Sequence, residues 1–439
     1  MLKTLVGAFK NKDIRKKILY TLMILVIVRV GSLLPIPGVD TEYFSSLLSG
    51  INTGDLSYLS AFTGGSFERM SLFALSITPY ITSSIIMQLL VIAIPKLEEM
   101  QKEGEDGRKK IAAITRYVTI ALALIESIAM AVGFGRSGLI KGYQGFSTLH
   151  YIVSIIVVVA ALTAGSAMLM WLGERITENG VGNGISIVLL INIISGMPSD
   201  FATLYSTFVA PRTIAKGVLA AAIIIAILVV MVVLVCFLQD GERRIPVQYS
   251  QKVSGRKTFG GQSTNIPLKV NTAGVMPVIF ASSLMQFPVI IAQLFGKSYE
   301  WTRYLSSSYW CRISAPKYSI GLILYIVLLI IFAYFYTSIT FNPIEVADNL
   351  KKAGGVIPGI TPGKSTSDYL NNILNYIVFV GAVGLLIIAL IPIMCTGFFN
   401  ASVSFGGTSV IIIVGVVLET LKQIESQMVN RYYKGFLSE

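Results

Sequence analysis

Residues able to carry acid–base or metal chemistry are scarce and scattered in this chain of 439 residues. His150 is the only histidine, and no Gly-x-Ser-x-Gly or His-Glu-x-x-His motif occurs. Cys236, Cys311 and Cys395 lie too far apart in sequence to show a metal-ligand spacing. Every aspartate lies outside the long apolar stretches, so no pair of intramembrane carboxylates can form from aspartate. The sequence predicts a protein that is not an enzyme and uses no metal or cofactor.

Two ionisable residues interrupt the apolar stretches, Arg29 and Glu126. Each costs roughly 2.5–3.5 kcal/mol at the centre of a bilayer on insertion scales, so neither is expected to face lipid. They belong to different stretches and have no evident set of partners. An ion-coupled transporter needs convergent charged groups near the bilayer midplane, and this pattern does not supply them.

One motif occurs twice. Residues 79–88 and 277–286 share proline, isoleucine, serine, methionine and glutamine at the same spacing, and each copy lies in a long apolar stretch. A proline and several hydroxyls weaken a membrane helix unless a neighbouring helix or water satisfies the freed groups. Two such segments in matching positions therefore indicate a pathway through the membrane.

The composition is that of an integral membrane protein, because 54% of the residues are hydrophobic, only 13% are charged and the mean hydropathy is +0.72. A bilayer-spanning helix needs about 20 apolar residues. Ten stretches are predicted to cross: residues 18–34, 70–94, 111–134, 149–172, 185–197, 214–238, 275–295, 318–341, 373–394 and 403–421. The fifth is the weakest, and it spans only if it continues toward Leu204.

Basic residues alternate sharply between successive connections, with 25 on one side and nine on the other. Basic loops stay in the cytoplasm, so both termini are predicted to be cytoplasmic. Ten spans divide into an N-terminal half, residues 1–205, and a C-terminal half, residues 206–439. The two copies of the motif then fall on spans two and seven. Five intervening crossings make them enter from opposite sides, as in an inverted-topology repeat.

Three connections are more than simple links. Leu56, Leu59 and Phe62 recur at helical spacing in a segment too short to cross, near residues 55–65, and Gly64-Gly65 would end it. This short helix either enters a cavity or lies flat on the membrane surface. The cytoplasmic loops at residues 239–273 and 342–369 are long and rich in turn formers, and the first alternates like a hairpin. Such loops are typical of docking surfaces.

These motifs resemble the SecY family, the channel subunit of the bacterial protein translocon. The matching residues are Arg29-Val30-Gly31-Ser32 with Pro35-Ile36-Pro37-Gly38, Phe73-Ala74-Leu75-Ser76-Ile77-Thr78-Pro79-Tyr80-Ile81, Lys102-Glu103-Gly104-Glu105 with Gly107-Arg108-Lys109-Lys110, Met170-Trp171-Leu172-Gly173-Glu174 with Gly182-Asn183-Gly184-Ile185-Ser186, Gln262-Ser263-Thr264 with Pro267-Leu268-Lys269-Val270-Asn271, Phe341-Asn342-Pro343 with Ala347-Asp348-Asn349-Leu350-Lys351-Lys352, and Phe405-Gly406-Gly407-Thr408-Ser409. The resemblance implies an all-α polytopic membrane protein with ten transmembrane helices, in two inverted five-helix halves around a central hourglass pore.

The resemblance also implies roles for particular residues. An apolar pore ring would consist of Ile77, Ile81, Ile185, Leu189, Ile279 and Ile412. A lateral gate between spans two and seven would contain Thr82, Gln88, Glu126, Ser127, Ser282, Ser283 and Phe287. The plug would contain Leu56, Leu59, Phe62 and Gly64, and the docking residues for the ribosome and the motor would be Arg243, Arg256, Lys257, Lys351 and Lys364.

The implied activity is passage of unfolded secretory polypeptides across the cytoplasmic membrane of a bacterium, with lateral release of transmembrane segments into lipid. The implied partners are SecE, SecG, the SecA ATPase, the ribosome, signal peptides, nascent polypeptides and membrane lipid. Thr361 stands where the family usually has arginine, and Glu126 stands where it commonly has glutamine. The alternatives to a protein channel are an inverted-repeat secondary transporter and an intramembrane hydrolase. The first needs a polar substrate site, and the second needs a nucleophile and a base.

Overall fold

The computed structural model describes residues 7, 9–42, 44, 46, 63–135, 148–211, 214–249, 252–254, 257–259, 263–294, 300–312, 316–399 and 407–435. Within these residues, ten helices coincide with the ten predicted spans: α1 (Lys12–Leu33), α2 (Thr78–Ala93), α4 (Glu105–Phe134), α5 (Thr148–Asn179), α6 (Gly184–Leu204), α7 (Ile214–Asp240), α8 (Met276–Leu294), α10 (Ile320–Thr340), α12 (Lys364–Phe399) and α13 (Gly407–Gly435). Short helices α3 (Pro95–Lys102), α9 (Glu300–Leu305) and α11 (Pro343–Lys352) lie between them. The all-helical membrane fold is therefore confirmed.

Among the described helices, six are by themselves long and apolar enough to cross a bilayer, and α2 with α3 makes a seventh if the bent pair counts as one span. The remaining three are α1 and α13, which carry several charges at one end, and α8, whose apolar part is short. The doubtful fifth span does continue, because α6 reaches Leu204 and a π-helical turn extends it to Val209.

The predicted second span is wrong over its first eight residues. Residues 70–77 form turns, and the helix begins only at Thr78. The chain pairs there with the segment after α1, because the Ile36 amide donates to the Met70 carbonyl at 3.1 Å and the Leu72 amide donates to the Leu34 carbonyl at 2.9 Å. Non-helical backbone at membrane depth is tolerated where protein surrounds it, and this pairing meets that condition.

The break between α2 and α3 bends the chain by 100°. Ile94 has extended backbone angles, and Pro95 occupies the first position of α3, where a missing amide donor costs nothing. Because α3 has no buried residues and carries charged side chains, it leaves the apolar layer.

The two long loops that are predicted to be cytoplasmic fold into one unit, called the cytoplasmic unit below, around a small sheet. Strands β1 (Glu242–Tyr249) and β4 (Ser263–Lys269) pair antiparallel with Ile245 opposite Ile266, and β2 (Lys252–Ser254) and β3 (Lys257–Phe259) form a second hairpin. This confirms the hairpin that the alternation in the first loop predicts. The two-residue strand β5 (Gly355–Val356), from the second loop, pairs with the other edge of β1, in the order β4-β1-β5.

The largest apolar cluster joins both halves of the chain. It takes fully buried side chains from α1, α5, α6, α7, α8, α10, α12 and α13, and partly buried residues of α2 pack against it. Where the cluster would otherwise meet water, burial of its apolar side chains is favourable. Where it lies within lipid, close van der Waals packing holds the helices together.

Candidate functional site

All six residues of the predicted ring meet in this one cluster. Ile77, Leu189, Ile279 and Ile412 are at most 5% exposed. Ile81 and Ile185 are half-buried and pack against them. The six side chains come from four places in the chain: the start of α2, the first two turns of α6, the first turn of α8 and the first two turns of α13. A wholly apolar meeting point of this kind can block ions by excluding water.

Helix α2 is bound tightly on one side and loosely on the other. It packs closely along α4, and the hydroxyls of Ser83 and Thr119 form a buried hydrogen bond of 2.5 Å between them. By contrast, α2 and α8 make almost no backbone contact, although both border the same apolar cluster. The boundary between α2 and α8 is called the seam below. Its sparse packing means that separating the two helices breaks few contacts.

The predicted gate residues divide in two groups at the seam. On α2, the Thr82 hydroxyl donates to the Thr78 carbonyl at 3.1 Å, and Gln88 has a buried Oε1 with no hydrogen-bond partner. On α8, the Ser282 hydroxyl donates to the Val278 carbonyl at 2.8 Å, and Phe287 is 42% exposed. Ser283 is half-buried. Hydroxyls that bond their own helix do not tie the two helices together.

Ser127 forms a contact between two neighbouring helices. Its hydroxyl is fully buried and lies 3.1 Å from the Thr163 hydroxyl of α5, while it also donates to the Ala123 carbonyl at 2.6 Å. Ser127 therefore joins α4 to α5, and its role as a gate residue stays a prediction. Its neighbour Glu126 is half-buried on α4, the helix that contacts both α2 and α8.

Most of the predicted plug, including Leu56, Leu59 and Phe62, lies outside the described residues. Its last predicted residue, Gly64, is described, and it is enclosed by polar groups. A methyl group at Gly64 would lie 2.6 Å from the Ser195 hydroxyl, 2.8 Å from the Asn192 carbonyl and 3.0 Å from Arg29 Nη1. The Ser195 hydroxyl also approaches the Gly64 carbonyl at 3.4 Å. Only glycine fits here, since the backbone φ of +62° is also in the left-handed region.

A polar cluster that was not predicted from the sequence surrounds Gly64. Asn192, 2% exposed, donates from Nδ2 to the Ser76 hydroxyl at 3.1 Å, and the Ser166 hydroxyl approaches the Ser76 carbonyl at 3.4 Å. Within the described part of the chain, Arg29 Nη1, Ser66 Oγ and Asn192 Oδ1 are buried without a hydrogen-bond partner. Three serines in an apolar stretch, at positions 66, 71 and 76, were the available signal.

The predicted docking residues lie on the cytoplasmic unit as far as they are described. Arg243, Lys351 and Lys364 are exposed on β1, at the end of α11 and at the start of α12. Lys257 is described only as part of β3, and Arg256 lies outside the described residues. The apolar side of the unit is buried, because Val247 is fully buried and Ile245, Leu350 and Ile357 pack beside it.

The fold and this arrangement define a class, the multi-pass helical membrane channels. Comparison with known proteins agrees. The family model described as SecY matches residues 71–421. The chain is 44% identical to the protein translocase subunit SecY of Streptomyces galbus and 42% identical to that of Halalkalibacterium halodurans, with complete coverage of both chains in each case.

Solved structures show the same fold at low identity. The structure described as a protein conducting channel has a TM-score of 0.61 at 19% identity, covering 94% of this chain and 93% of its own. A second structure is of a SecY protein whose plug domain is described as stabilising the closed state of the channel. It has a TM-score of 0.65 at 19% identity, covering 94% of this chain and 92% of its own.

The chain belongs to the SecY family. It is a multi-pass membrane protein that forms the channel of a protein translocase, and it is not an enzyme.

Proposed function

We propose that the six-residue cluster is the pore ring of this channel and that the seam between α2 and α8 is its lateral gate. The observation that carries this proposal is the convergence of Ile77, Ile81, Ile185, Leu189, Ile279 and Ile412 on one apolar cluster, next to a helix boundary with little packing. Branched apolar side chains can close around an extended polypeptide, and an empty apolar constriction resists ions.

The seam supplies a route to lipid. A signal sequence is an apolar helix, and it can lie between α2 and α8 if the two helices separate. Hydrogen bonds between membrane helices average about 0.6 kcal/mol each, so a seam held by a few weak contacts opens at low cost. The firm attachment of α2 to α4 makes α2 and α4 move as one side of the gate, with α8 and α10 as the other.

The plug in this proposal is the segment that ends at Gly64. The close approach of Arg29, Asn192 and Ser195 to Gly64 gives its end a fixed seat just before α2 begins. Leu56, Leu59 and Phe62, which lie outside the described residues, are proposed as plug residues from the family resemblance. In the proposed inverted repeat of two five-span halves, residues 1–205 and 206–439, α2 and α8 are equivalent helices that enter the membrane from opposite sides.

The finer partners follow from the family. SecE and SecG are the proposed companion subunits, and SecA or a translating ribosome is the proposed source of directed movement. The structural relatives include a Sec61 channel in a canine ribosome complex. The exposed Arg243, Lys351 and Lys364 are the proposed contacts on this chain, and Arg256 and Lys257 are added from the family resemblance. The proposed location is a bacterial cytoplasmic membrane, with both termini in the cytoplasm.

The ring is tested by ion leakage through the purified chain in sealed vesicles. Replacing both Ile81 and Ile279 with glycine removes two ring side chains, and leakage should rise severalfold. A glycine within a helix costs about 1 kcal/mol whatever its position, so matched controls are needed. Ile92→Gly on α2 and Leu284→Gly on α8 change exposed residues of the same two helices, and they should leave leakage unchanged.

Two outcomes would count against the proposal. Equal leakage in the ring variant and in the controls would mean that the cluster does not seal a pore. Unchanged leakage together with loss of small-solute uptake would instead support the secondary transporter.

A further inference from the structure

The loop between α8 and α10 carries an unusual concentration of positive charge. Between residues 295 and 319 it holds Lys297, Arg303, Arg312 and Lys317 against a single carboxylate, Glu300. These are four of the nine basic residues on the side predicted to be external. The positive-inside rule predicts few basic residues here, so topology does not explain them.

Three of these cations converge on two tyrosine rings. Arg312 lies 4.9 Å and Arg303 lies 5.8 Å from the centre of the Tyr309 ring, and Lys317 lies 5.0 Å from that of Tyr318. The rings of Tyr309 and Tyr318 meet edge to face at 5.9 Å. Cation–π contacts stabilise each cation by about 0.5–1 kcal/mol at exposed sites, which positions the charges without neutralising them.

The charges of this cluster are left uncompensated. Arg303 and Lys317 both approach the Tyr318 hydroxyl, and among the described residues neither forms an ion pair with a carboxylate. Glu300 acts on both only at longer range. Arg312 Nε is buried, and it has no hydrogen-bond partner among the residues that the structure describes. Like charges gathered around one hydroxyl repel each other, so an anion bound between them would be favoured.

The scaffold beneath the cluster is rigid. Trp310, 2% exposed, donates from Nε1 to the Tyr304 carbonyl at 2.8 Å, and the Tyr304 ring packs edge to face on Tyr318 at 5.0 Å. Gly321 lies directly against the Tyr304 carbonyl, where a methyl group would clash at 1.6 Å. The cations are therefore held by an ordered base rather than by an unstructured loop.

The position of the cluster identifies the kind of anion. Ile320 and Ile323, at the start of α10, are 63% and 62% exposed, and a membrane-spanning helix turns such residues toward acyl chains. Trp301 is 46% exposed beside the cluster, and tryptophan and tyrosine favour the interface between headgroups and hydrocarbon. Arg303 is two residues from Trp301, and Lys317 is three residues before Ile320, so both lie close to these exposed residues along the chain.

We propose that Arg303, Arg312 and Lys317 form a binding site for the phosphodiester headgroup of an anionic phospholipid, in the leaflet on the α9 side of the membrane. Arginine and lysine supply charged donors to the phosphate oxygens, and the tyrosine hydroxyls supply further donors for the glycerol part. The acyl chains extend along the exposed face of α10. The site includes no residue of the ring or the seam. A test of the lipid site therefore does not depend on whether the proposed ring and gate are correct.

The test uses Trp301 as a reporter of bound lipid. The chain has three tryptophans, of which Trp310 is buried and Trp171 is half exposed, so Trp171→Phe leaves Trp301 as the accessible one. The full chain is placed in phosphatidylcholine nanodiscs that contain a small fraction of either brominated phosphatidylglycerol or brominated phosphatidylcholine. Quenching of the Trp301 fluorescence by the bromine atoms is measured for each lipid. Quenching should show a preference of at least about tenfold for the anionic lipid, because each basic residue near a surface contributes about fivefold in affinity and three act together here.

Matched variants isolate the cluster. Arg303→Gln with Lys317→Gln should bring the preference close to one, whereas Arg303→Lys with Lys317→Arg keeps both charges and should retain most of it. Lys216→Gln removes a basic residue at the start of α7, on the same predicted side, and should change nothing. Retention of the buried Trp310 emission shows that each variant is folded.

Three results would overturn the proposal. Equal quenching by the two brominated lipids would show that the site does not select charge. Undiminished preference in the double glutamine variant would place the lipid elsewhere. Loss of the preference in a modest excess of inorganic phosphate, at constant ionic strength, would assign the site to a soluble anion.

Discussion

Asn192 of α6 donates a hydrogen bond to the hydroxyl of Ser76, 3.1 Å away, and so connects the fifth span to the turn from which α2 begins. Both side chains are buried at 2% exposure. Ser76 has a backbone φ of +53°, a left-handed conformation that costs a residue other than glycine about 1–2 kcal/mol. The hydrogen bond thus helps to hold a strained residue at the start of a ring-bearing helix.

Asn192→Ala should destabilise the protein by about 1–3 kcal/mol, because it leaves the Ser76 hydroxyl buried without that partner. Ser76→Ala keeps the strained backbone and loses the hydrogen bond, so it should also destabilise. Ser76→Gly loses the same bond but relieves the strain, and it should unfold close to the wild-type temperature. Thermal unfolding of the purified chain in detergent measures all three. Equal destabilisation by Ser76→Ala and Ser76→Gly would refute the strain argument.

Gly64→Ala should displace the end of the plug. The added methyl group would lie within 3.0 Å of three groups, and two of these are the Asn192 carbonyl and the Arg29 guanidinium. Ion leakage from vesicles containing this variant should rise, although the ring itself is intact.

Gly65→Ala is the matched control for this substitution. Gly65 has a similar φ of +79°, but nothing lies within 4 Å of an added methyl group. Both variants therefore bear the same backbone strain of about 1–2 kcal/mol, and only Gly64→Ala adds a clash. If the two variants leak equally, the seat formed by Arg29, Asn192 and Ser195 does not position the plug.

Long apolar runs were sufficient to locate the ten helices, because a membrane helix needs only length and hydropathy, and both can be read from sequence. They failed at residues 70–77. Hydropathy measures how apolar a stretch is, and it does not register that the Leu72 amide donates to Leu34, on a segment almost 40 residues earlier. Non-local pairing overrode the apparent helix.

Of the candidate site, only the apolar ring residues could be predicted from the sequence. The six ring residues were assigned by family resemblance, and the structure places them in one cluster. The polar part depends on which neighbour each hydroxyl meets. Ser127 meets Thr163 and Ser83 meets Thr119, and no spacing within a single helix specifies such partners. The pairing of β5 with β1 was missed because two residues are too few to show alternation.

The pairing of β5 with β1 predicts that the two cytoplasmic loops act as one body. Gly355 lies opposite Tyr249, and a methyl group there would be 2.9 Å from Leu350 Cδ2 and 3.0 Å from the Tyr249 ring. Gly355→Val is bulkier still and should separate the strands. Amide hydrogen exchange of residues 245–249 should then accelerate by at least about tenfold, as expected for a loss of 1.4 kcal/mol or more in local stability.

Val356→Thr is the control for this substitution, because Val356 is 39% exposed on the same strand and threonine has nearly the same shape. It should leave the exchange unchanged. Motor-driven translocation should fall in Gly355→Val alone if the docking residues need the joined unit. Normal translocation with accelerated exchange would show that Arg243 and Lys351 act from separate loops.

The seam is tested by a disulfide between α2 and α8. Cys236, Cys311 and Cys395 are all free and half-buried, so they are first replaced with serine. Thr82→Cys and Phe287→Cys are then introduced at the positions that the family resemblance places opposite each other. A disulfide requires Cα atoms within about 7 Å, so a bridge reports a closed seam. It should form readily in resting membranes and decline when a signal peptide is bound.

The bridge also has a functional consequence. With the seam covalently closed, transfer of a secreted substrate that depends on signal insertion should stop, and reduction of the disulfide should restore it. A matched pair, Thr82→Cys with Met285→Cys, uses a position two residues before Phe287, about 160° away around α8, and should bridge poorly. If the first pair does not bridge in resting membranes while the matched pair does, the faces assigned to α2 and α8 are wrong. If the first pair bridges and substrate transfer continues unchanged, chains do not enter through this seam.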